Sequence, residues 1–247
     1  MQQDDVSVAK VCLLAGKIML QSGAETYRVE DTMNRIAASY GLKKAESYAT
    51  PTGIQFSTEG EATYFRRISN RSTDLHKIAE VNHISRQISA QTIEPKEALL
   101  HLKGIQHASE SFPYWIQMIA AAFVSGSFTI MFGGAWPDFL PSFFAGGIGF
   151  FAMIWFEKVV EIRFIAEFFA SFMIAIASGI AIHIGFGIQM DKIIIGAVMP
   201  LVPGLHITNA VRDLMAGHLV AGVSKGVEAI LTAFAIGAGV AVVFAII

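Results

Sequence analysis

The last 134 residues of the 247-residue chain, Tyr114 to Ile247, carry only 12 Asp, Glu, Lys and Arg side chains, and those fall in short clusters. A stretch this long and this apolar cannot cover itself with polar surface in water, so lipid is its solvent. The first 113 residues are different: they hold the other 26 charges, 13 of each sign, and read as a neutral, well-solvated domain. The chain therefore divides at residue 113 into a soluble domain, 1–113, and a transmembrane domain, 114–247. The net charge of −2 and the lack of a basic tract give no sign of nucleic-acid binding. A single cysteine, Cys12, excludes a disulfide framework and a multi-thiolate metal site. The opening Met-Gln-Gln-Asp-Asp is acidic and has no apolar core, so it is no signal peptide, and the soluble domain is expected to stay on the side where it was made.

Five apolar runs are long enough to cross ~30 Å of hydrocarbon: Tyr114–Gly134, Phe139–Phe156, Phe164–Gly187, Ile193–Val211 and Gly226–Ile247. Breaks are expected at Trp136-Pro137-Asp138, Glu157 to Arg163, Asp191-Lys192 and Arg212 to Lys225. With the soluble domain cytoplasmic, Lys158, Arg163, Arg212 and Lys225 fall in inside loops and Lys192 alone outside, which satisfies the positive-inside rule. Five spans then leave the C-terminus outside. Small residues are dense in these runs, as at Gly146-Gly147-Ile148-Gly149 and Ser125-Gly126-Ser127, and permit close helix packing.

The fourth run reads IIIGAVMPLVPGLHITNAVRDL from Ile193 to Leu214. Pro200, Pro203 and Gly204 remove backbone donors and predict a discontinuous helix. Broken backbone at membrane depth is tolerated where it is buried in protein or lines an aqueous cavity, and such breaks build transporter sites. A helix restarting near Leu205 would point its N-terminal amides at an anion, favouring a carboxylate. Thr208, Asn209 and Arg212 share one face with Leu205 by helical spacing and could line one cavity. The alternative is a plain proline kink whose polar end reaches the interface. Ionisable groups near span ends, Glu167, His183 and Glu228, are either proton carriers or snorkelling side chains.

In the soluble half, Val8, Val11, Cys12, Ala15, Ile18 and Met19 predict an amphipathic helix over Val6–Leu20. Ser22-Gly-Ala-Glu25 matches a capping box for a helix from Thr26 to Tyr40 closed by Gly41. Short strands are expected at Ala45–Thr50, Ile54–Thr58 and Ala62–Ile68, with a turn at Glu59-Gly60, then helices at Asp74–Ala90 and Pro95–Ile105. The order α-α-β-β-β-α-α describes a small α+β unit. Glu25, Tyr27, Arg28 and Glu30 form a polar cluster, which the capping box and a solvated helix face account for. No nucleophile–base–orienter set, metal spacing or cofactor fingerprint can be named, so no catalytic residue, metal or cofactor is expected.

The segments GAETYRVEDTMNRI, TPTGI and MPLVPGLHITNAVRDLMAGHLVAGVSKGVEAI, in that order, resemble the threonine/serine exporter family over nearly the whole chain. The resemblance implies a bacterial inner-membrane, multi-pass α-helical protein with five spans, the fourth discontinuous, and an N-terminal cytoplasmic α+β domain. Full-length members look like this chain fused to a second set of spans. In split systems, associated with succinate export, that half is a separate small membrane protein. The chain thus resembles the larger component of such a pair and implies that second subunit as a partner, with association of several copies also open. The implied activity is export of a small carboxylate-bearing metabolite (threonine, serine or a dicarboxylate) driven by proton motive force. Pro200, Pro203, Gly204, Thr208, Asn209, Arg212 and Asp213 are the expected substrate-binding residues, and His206, Glu228 and Glu167 the proton-coupling candidates. His218 stands where the resemblance leads one to expect an acidic residue. The rival readings are a membrane-anchored hydrolase and a sensory or regulatory membrane protein.

Overall fold

The apolar spacing from Val8 to Met19 does form a helix, α1 (Gln2–Gln21), but one buried on more than a single stripe. Ala9, Leu13 and Leu20 are buried along with Val11, Cys12 and Ala15, so α1 is the centre of its domain rather than a surface helix. The computed structural model describes residues 2–42, 44–59, 63–108 and 112–246. Two compact units result: Met1–Glu110 with Leu205–Gly226, and Ser111–Gly204 with Val227–Ile247. The first unit thus takes in a segment from the far end of the chain, which a single cut at residue 113 does not anticipate.

In the first unit α2 (Thr26–Ser39) follows α1, and Gly41, at φ +93°, turns the chain out of the helix. Three antiparallel strands come next, β1 (Glu46–Thr50), β2 (Gly53–Ser57) and β3 (Tyr64–Arg67), in the order β1-β2-β3. The register places Thr50 opposite Gly53 and Gly53 opposite Arg67. Ile54 and Phe56 alternate inward from β2 onto the core. The expected turn residue Gly60 and the start of the third strand at Ala62 lie outside the described residues. Asp74 caps α3 (Leu75–Ser89) by accepting the Lys77 N–H at 3.0 Å. Pro95 opens α4 (Pro95–His107) at the position where its missing donor costs nothing. Val81, Ile84, Ile88, Ala98 and Leu102 from these two helices complete the core.

The second unit holds α5 (Tyr114–Met131), α6 (Phe139–Val160), α7 (Arg163–His183) and α8 (Met190–Val198). Short 3-10 turns occupy Trp136–Asp138 and Met199–Leu201; α9 (Gly204–Met215) and α10 (Leu219–Ile246) follow. Among the described residues four helices are long and apolar enough to cross a membrane, and Met190–Leu201 with Gly204–Met215 makes a fifth span if that pair, bent by 62° at its break, counts as one. Asp191 and Lys192 do not break the chain; they lie in the first turn of α8. The reversal comes earlier, at Gly185 and Gly187, both at positive φ. The expected break from Arg212 to Lys225 shrinks to Ala216–His218, because Gly217 at φ +85° ends α9 and the chain is helical again from Leu219. Lys225 is therefore a helical residue, not a loop residue.

Close packing accounts for the small residues at several crossings. A Cβ on Gly196 of α8 would run into Thr129 of α5 and lie 2.8 Å from the Ser125 carbonyl oxygen. Thr129 Oγ1 in turn donates to Ser142 Oγ of α6 at 2.6 Å, so three helices meet at this point. Gly196→Ala is expected to lower the thermal unfolding midpoint of the detergent-solubilised protein, by an overpacking cost of roughly 1–3 kcal/mol. Gly237→Ala, where a Cβ would meet no described heavy atom within 4 Å, should leave it unchanged.

Candidate functional site

After α1 the chain reverses through Ser22–Glu25 and starts α2 at Thr26, leaving four orphan backbone donors at a helix N-terminus. The expected capping box does not form: Glu25 is the residue before the first turn, and its side chain makes no capping bond. The acceptor comes from 187 residues away. Asp213 Oδ1 of α9 accepts the Thr26 N–H at 2.8 Å and the Tyr27 N–H at 3.4 Å. A carboxylate at that position is also favoured by the helix dipole.

Asp213 is fully buried and is balanced by an equally hidden cation. Lys225 Nζ of α10 donates to Asp213 Oδ2 at 2.7 Å, to Thr26 Oγ1 at 3.1 Å and to the Ala24 carbonyl at 3.2 Å. All three donors of the ammonium are thus used. One turn earlier on α9, Asn209 Nδ2 donates to the Gly23 carbonyl at 2.8 Å. Arg212 Nη1 donates to Glu25 Oε1 at 2.5 Å, and Arg28 Nη1 to Glu25 Oε2 at 3.2 Å. Both arginine side chains are about half exposed while the Glu25 carboxylate between them is buried.

Two carboxylates here titrate away from their ordinary range, in opposite directions. Burial works to raise Glu25, but its own backbone N–H, the Arg212 hydrogen bond and the charges of Arg28 and Arg212 outweigh it and hold Glu25 low. Glu30 is pushed up by burial and by the nearby Asp213 charge, against the Ala49 N–H, which it accepts at 2.7 Å, and His218. His218 Nδ1 lies 3.5 Å from Glu30 Oε1, an ion pair when the imidazole is protonated, where an acidic side chain would only repel.

Of the expected site residues, Asn209, Arg212 and Asp213 are brought together on the α1–α2 turn. Thr208 is exposed on α9, and His206 is half-buried there with contacts of its own. Pro200 falls in the 3-10 turn, Pro203 is buried at the break, and Gly204 begins α9. Glu228 is half-buried on α10. Glu167 is 1% exposed on α7; its Oε1 accepts from Arg163 Nε at 2.9 Å, while its Oε2 has no hydrogen-bond partner among the described residues. It is therefore not a snorkelling side chain. The sequence reading set Glu25 and Glu30 aside as a capping box and a solvated helix face, placed Lys225 in a loop, and missed Thr26. The available signal was a pair of opposite charges, Asp213 and Lys225, flanking a Gly217 turn within apolar sequence. Among the described residues no group of three His, Cys, Asp or Glu could hold a metal ion.

A family model described as "Putative threonine/serine exporter" matches residues 10–247. The "Probable succinate transporter subunit YjjP" of Escherichia coli K12 is 26% identical, over 95% of this chain and 92% of its own length. That of Klebsiella aerogenes is 25% identical over 95% and 92%. The "Threonine/serine exporter" of Corynebacterium glutamicum is 24% identical over 96% of this chain but only 51% of its own length. These are exporters and transporter subunits, not enzymes. No solved structure matches the chain.

Asp213→Ala should destabilise strongly, on the order of 3–5 kcal/mol, because it leaves Lys225 buried without its anion and the first turn of α2 uncapped. The double variant Asp213→Asn with Lys225→Met should lose distinctly less in the same thermal unfolding measurement. For Glu25 the sign follows from its lowered folded-state pKa. Its stabilisation is fully present above the ordinary value of 4.5 and is lost as pH falls below it. The stability gap between wild type and Glu25→Gln, measured by chemical unfolding from pH 7 downward, should therefore close in that acid range.

Proposed function

The chain belongs to the threonine/serine exporter family, and we propose that it is one subunit of a secondary exporter for a small carboxylate-bearing metabolite. Its near-full-length match to named succinate transporter subunits, against half of a longer exporter, favours a dicarboxylate and a second small membrane subunit supplying the remaining spans. The observation that carries the reading is Arg212. This guanidinium lies on the second helix of a proline-broken pair, is half exposed, and already grips a carboxylate, that of Glu25, at 2.5 Å.

Glu25 stands in for the cargo. A guanidinium binds any carboxylate through charge-assisted, geometrically matched bonds, so a substrate carboxylate can take the place of Glu25 on Arg212. Glu25 keeps its second partner, Arg28, while displaced, so no buried anion is left alone. Asn209 one turn away adds an amide, and Pro200, Pro203 and Gly204 supply the broken backbone that transporter sites employ. Thr208 extends the same polar stretch of α9. Asp213 positions the helix rather than touching cargo. Glu167 is the best-placed proton carrier, being a buried carboxylate on a membrane-spanning helix with one oxygen unpartnered among the described residues, ahead of His206 and Glu228. Coupling through it draws on proton motive force. Lys158 and Arg163 at the α6–α7 junction, against Lys192 at the start of α8, favour a cytoplasmic N-terminal domain and a C-terminus outside.

The experiment is efflux of labelled succinate, serine and threonine from vesicles holding this chain with its partner subunit under a proton gradient. Succinate efflux should exceed that of empty vesicles and fall at least tenfold in Arg212→Gln, with membrane insertion and thermal midpoint retained. Unchanged efflux in that variant would remove Arg212 from the transport path.

A further inference from the structure

The sheet of the N-terminal domain has one covered edge and one open edge. Its order is β1-β2-β3, so β1 and β3 are the outer strands. The edge of β1 is met by α2: Glu30 Oε1 accepts the Ala49 N–H at 2.7 Å, and Ser47 Oγ donates to the Glu30 carbonyl at 3.2 Å. On β3, the bonding to β2 decides which peptide groups face outward. The Ile68 N–H donates to the Thr52 carbonyl at 3.0 Å, which makes those two residues a hydrogen-bonded pair. Antiparallel pairs alternate, so Arg66 with Ile54 and Tyr64 with Phe56 are bonded pairs as well. Phe65 and Arg67 therefore turn their N–H and C=O groups out of the sheet.

The side chains along this edge form a mixed aromatic and basic surface. The register aligns Tyr48, Gln55 and Phe65 in one row and Thr50, Gly53 and Arg67 in the next, on the face opposite the buried Ile54 and Phe56. Tyr48 is 50% exposed and Phe65 58%. Gly53 makes room for the Phe65 ring over β2, since a Cβ there would come within 2.8 Å of it. Arg66 and Arg67 are exposed, and among the described residues neither guanidinium has a hydrogen bond or ion pair. Glu46, on the same face as Arg67, stands at the opposite corner by register.

We propose that β3 is a docking edge for an extended, acidic segment of another protein, which adds to the sheet as a further strand. Phe65 and Arg67 each offer it one backbone donor and one acceptor. In an antiparallel approach, carboxylates stand opposite Arg67 and Arg66 and a β-branched or aromatic residue stands opposite Phe65. A second copy of this chain is a poor occupant. Laid antiparallel with Phe65 opposite Arg67, it would set Arg66 directly against its own counterpart, and like charges so placed repel. An anionic lipid headgroup would meet the arginines but leave the open amides and carbonyls of the strand unbonded. The surface makes no use of Arg212 and stands independently of the export reading.

The test is titration of the full chain, in nanodiscs of phosphatidylcholine, with the synthetic peptide acetyl-Val-Thr-Glu-Glu-Val-Thr-Val-amide carrying a fluorophore. Saturable binding is expected, with hydrogen-exchange protection appearing at the amides of Phe65 and Arg67. A counterpart with lysine for both glutamates should bind roughly tenfold more weakly. So should the acidic peptide N-methylated at the two residues that would pair with Phe65 and Arg67, an arm that needs no protein variant. Arg67→Glu should reverse the preference between the acidic and basic peptides, while Arg212→Gln should leave it unchanged. Absence of saturable binding, equal binding of the basic or N-methylated peptide, or bound peptide without protection at Phe65 and Arg67 would each overturn the proposal. Protection of those amides on adding phosphatidylglycerol to the discs, with none from peptide, would also overturn it and assign the surface to lipid.

Discussion

The buried pair of Asp213 and Lys225 organises the first unit, and it does so at a cost that the surrounding contacts must offset. Desolvating two charges is unfavourable, and replacing such pairs by apolar residues is often neutral or stabilising. What makes this pair favourable is that both oxygens of the carboxylate and all three protons of the ammonium are hydrogen-bonded. Asp213 accepts two backbone amides and the ammonium; Lys225 donates to a carboxylate, a hydroxyl and a carbonyl. The pair also does what no local residue does, terminating the N-terminus of α2. Removing it would expose the first turn of that helix as well as a charge.

Much of the fold was readable in the sequence because it depends on local periodicity. Val8 to Met19, the Gly41 stop, the Asp74 cap and the Pro95 start each signal an element within a few residues of themselves. The apolar runs were equally visible, and their helices overshoot only where charged residues stay helical, as at Asp191-Lys192 and Lys225. The broken helix at Pro200 and Pro203 followed from missing donors alone. The site was less legible. Ser22-Gly-Ala-Glu25 fits a capping box by spacing, yet the cap comes from Asp213, and no local rule reports an acceptor that distant. Glu25 and Glu30 on α2 look like a solvated face until Arg212 and His218 are brought over them.

A capping Glu25 would be held by backbone amides, whereas here its carboxylate is held between the guanidinium groups of Arg212 and Arg28. Its lowered pKa keeps it ionised at any pH the cell maintains, so Arg212 is never without a competing carboxylate. On the proposed export reading, cargo would bind here by exchange rather than by filling an empty cationic pocket, which would limit affinity. That limit suits an exporter, since a cargo bound too tightly on the loading side is released slowly on the other.

The four residues Gln21–Ala24 hold two sets of contacts through consecutive carbonyls. Gln21 and Ser22 anchor the segment carrying Arg71 and Lys77, and Gly23 and Ala24 anchor Asn209 and Lys225. Backbone carbonyls cannot be substituted away, and each here is held by a donor of fixed position. Any shift of the turn is therefore felt by both sets of contacts at once, because packed, fully hydrogen-bonded elements move between discrete arrangements rather than deforming smoothly. Gly23, at φ +85°, sits at the middle of that turn, where an L side chain would be strained. The turn's geometry, more than any single charge, is what allows one short segment to meet both the α9–α10 contacts and the segment leading into α3.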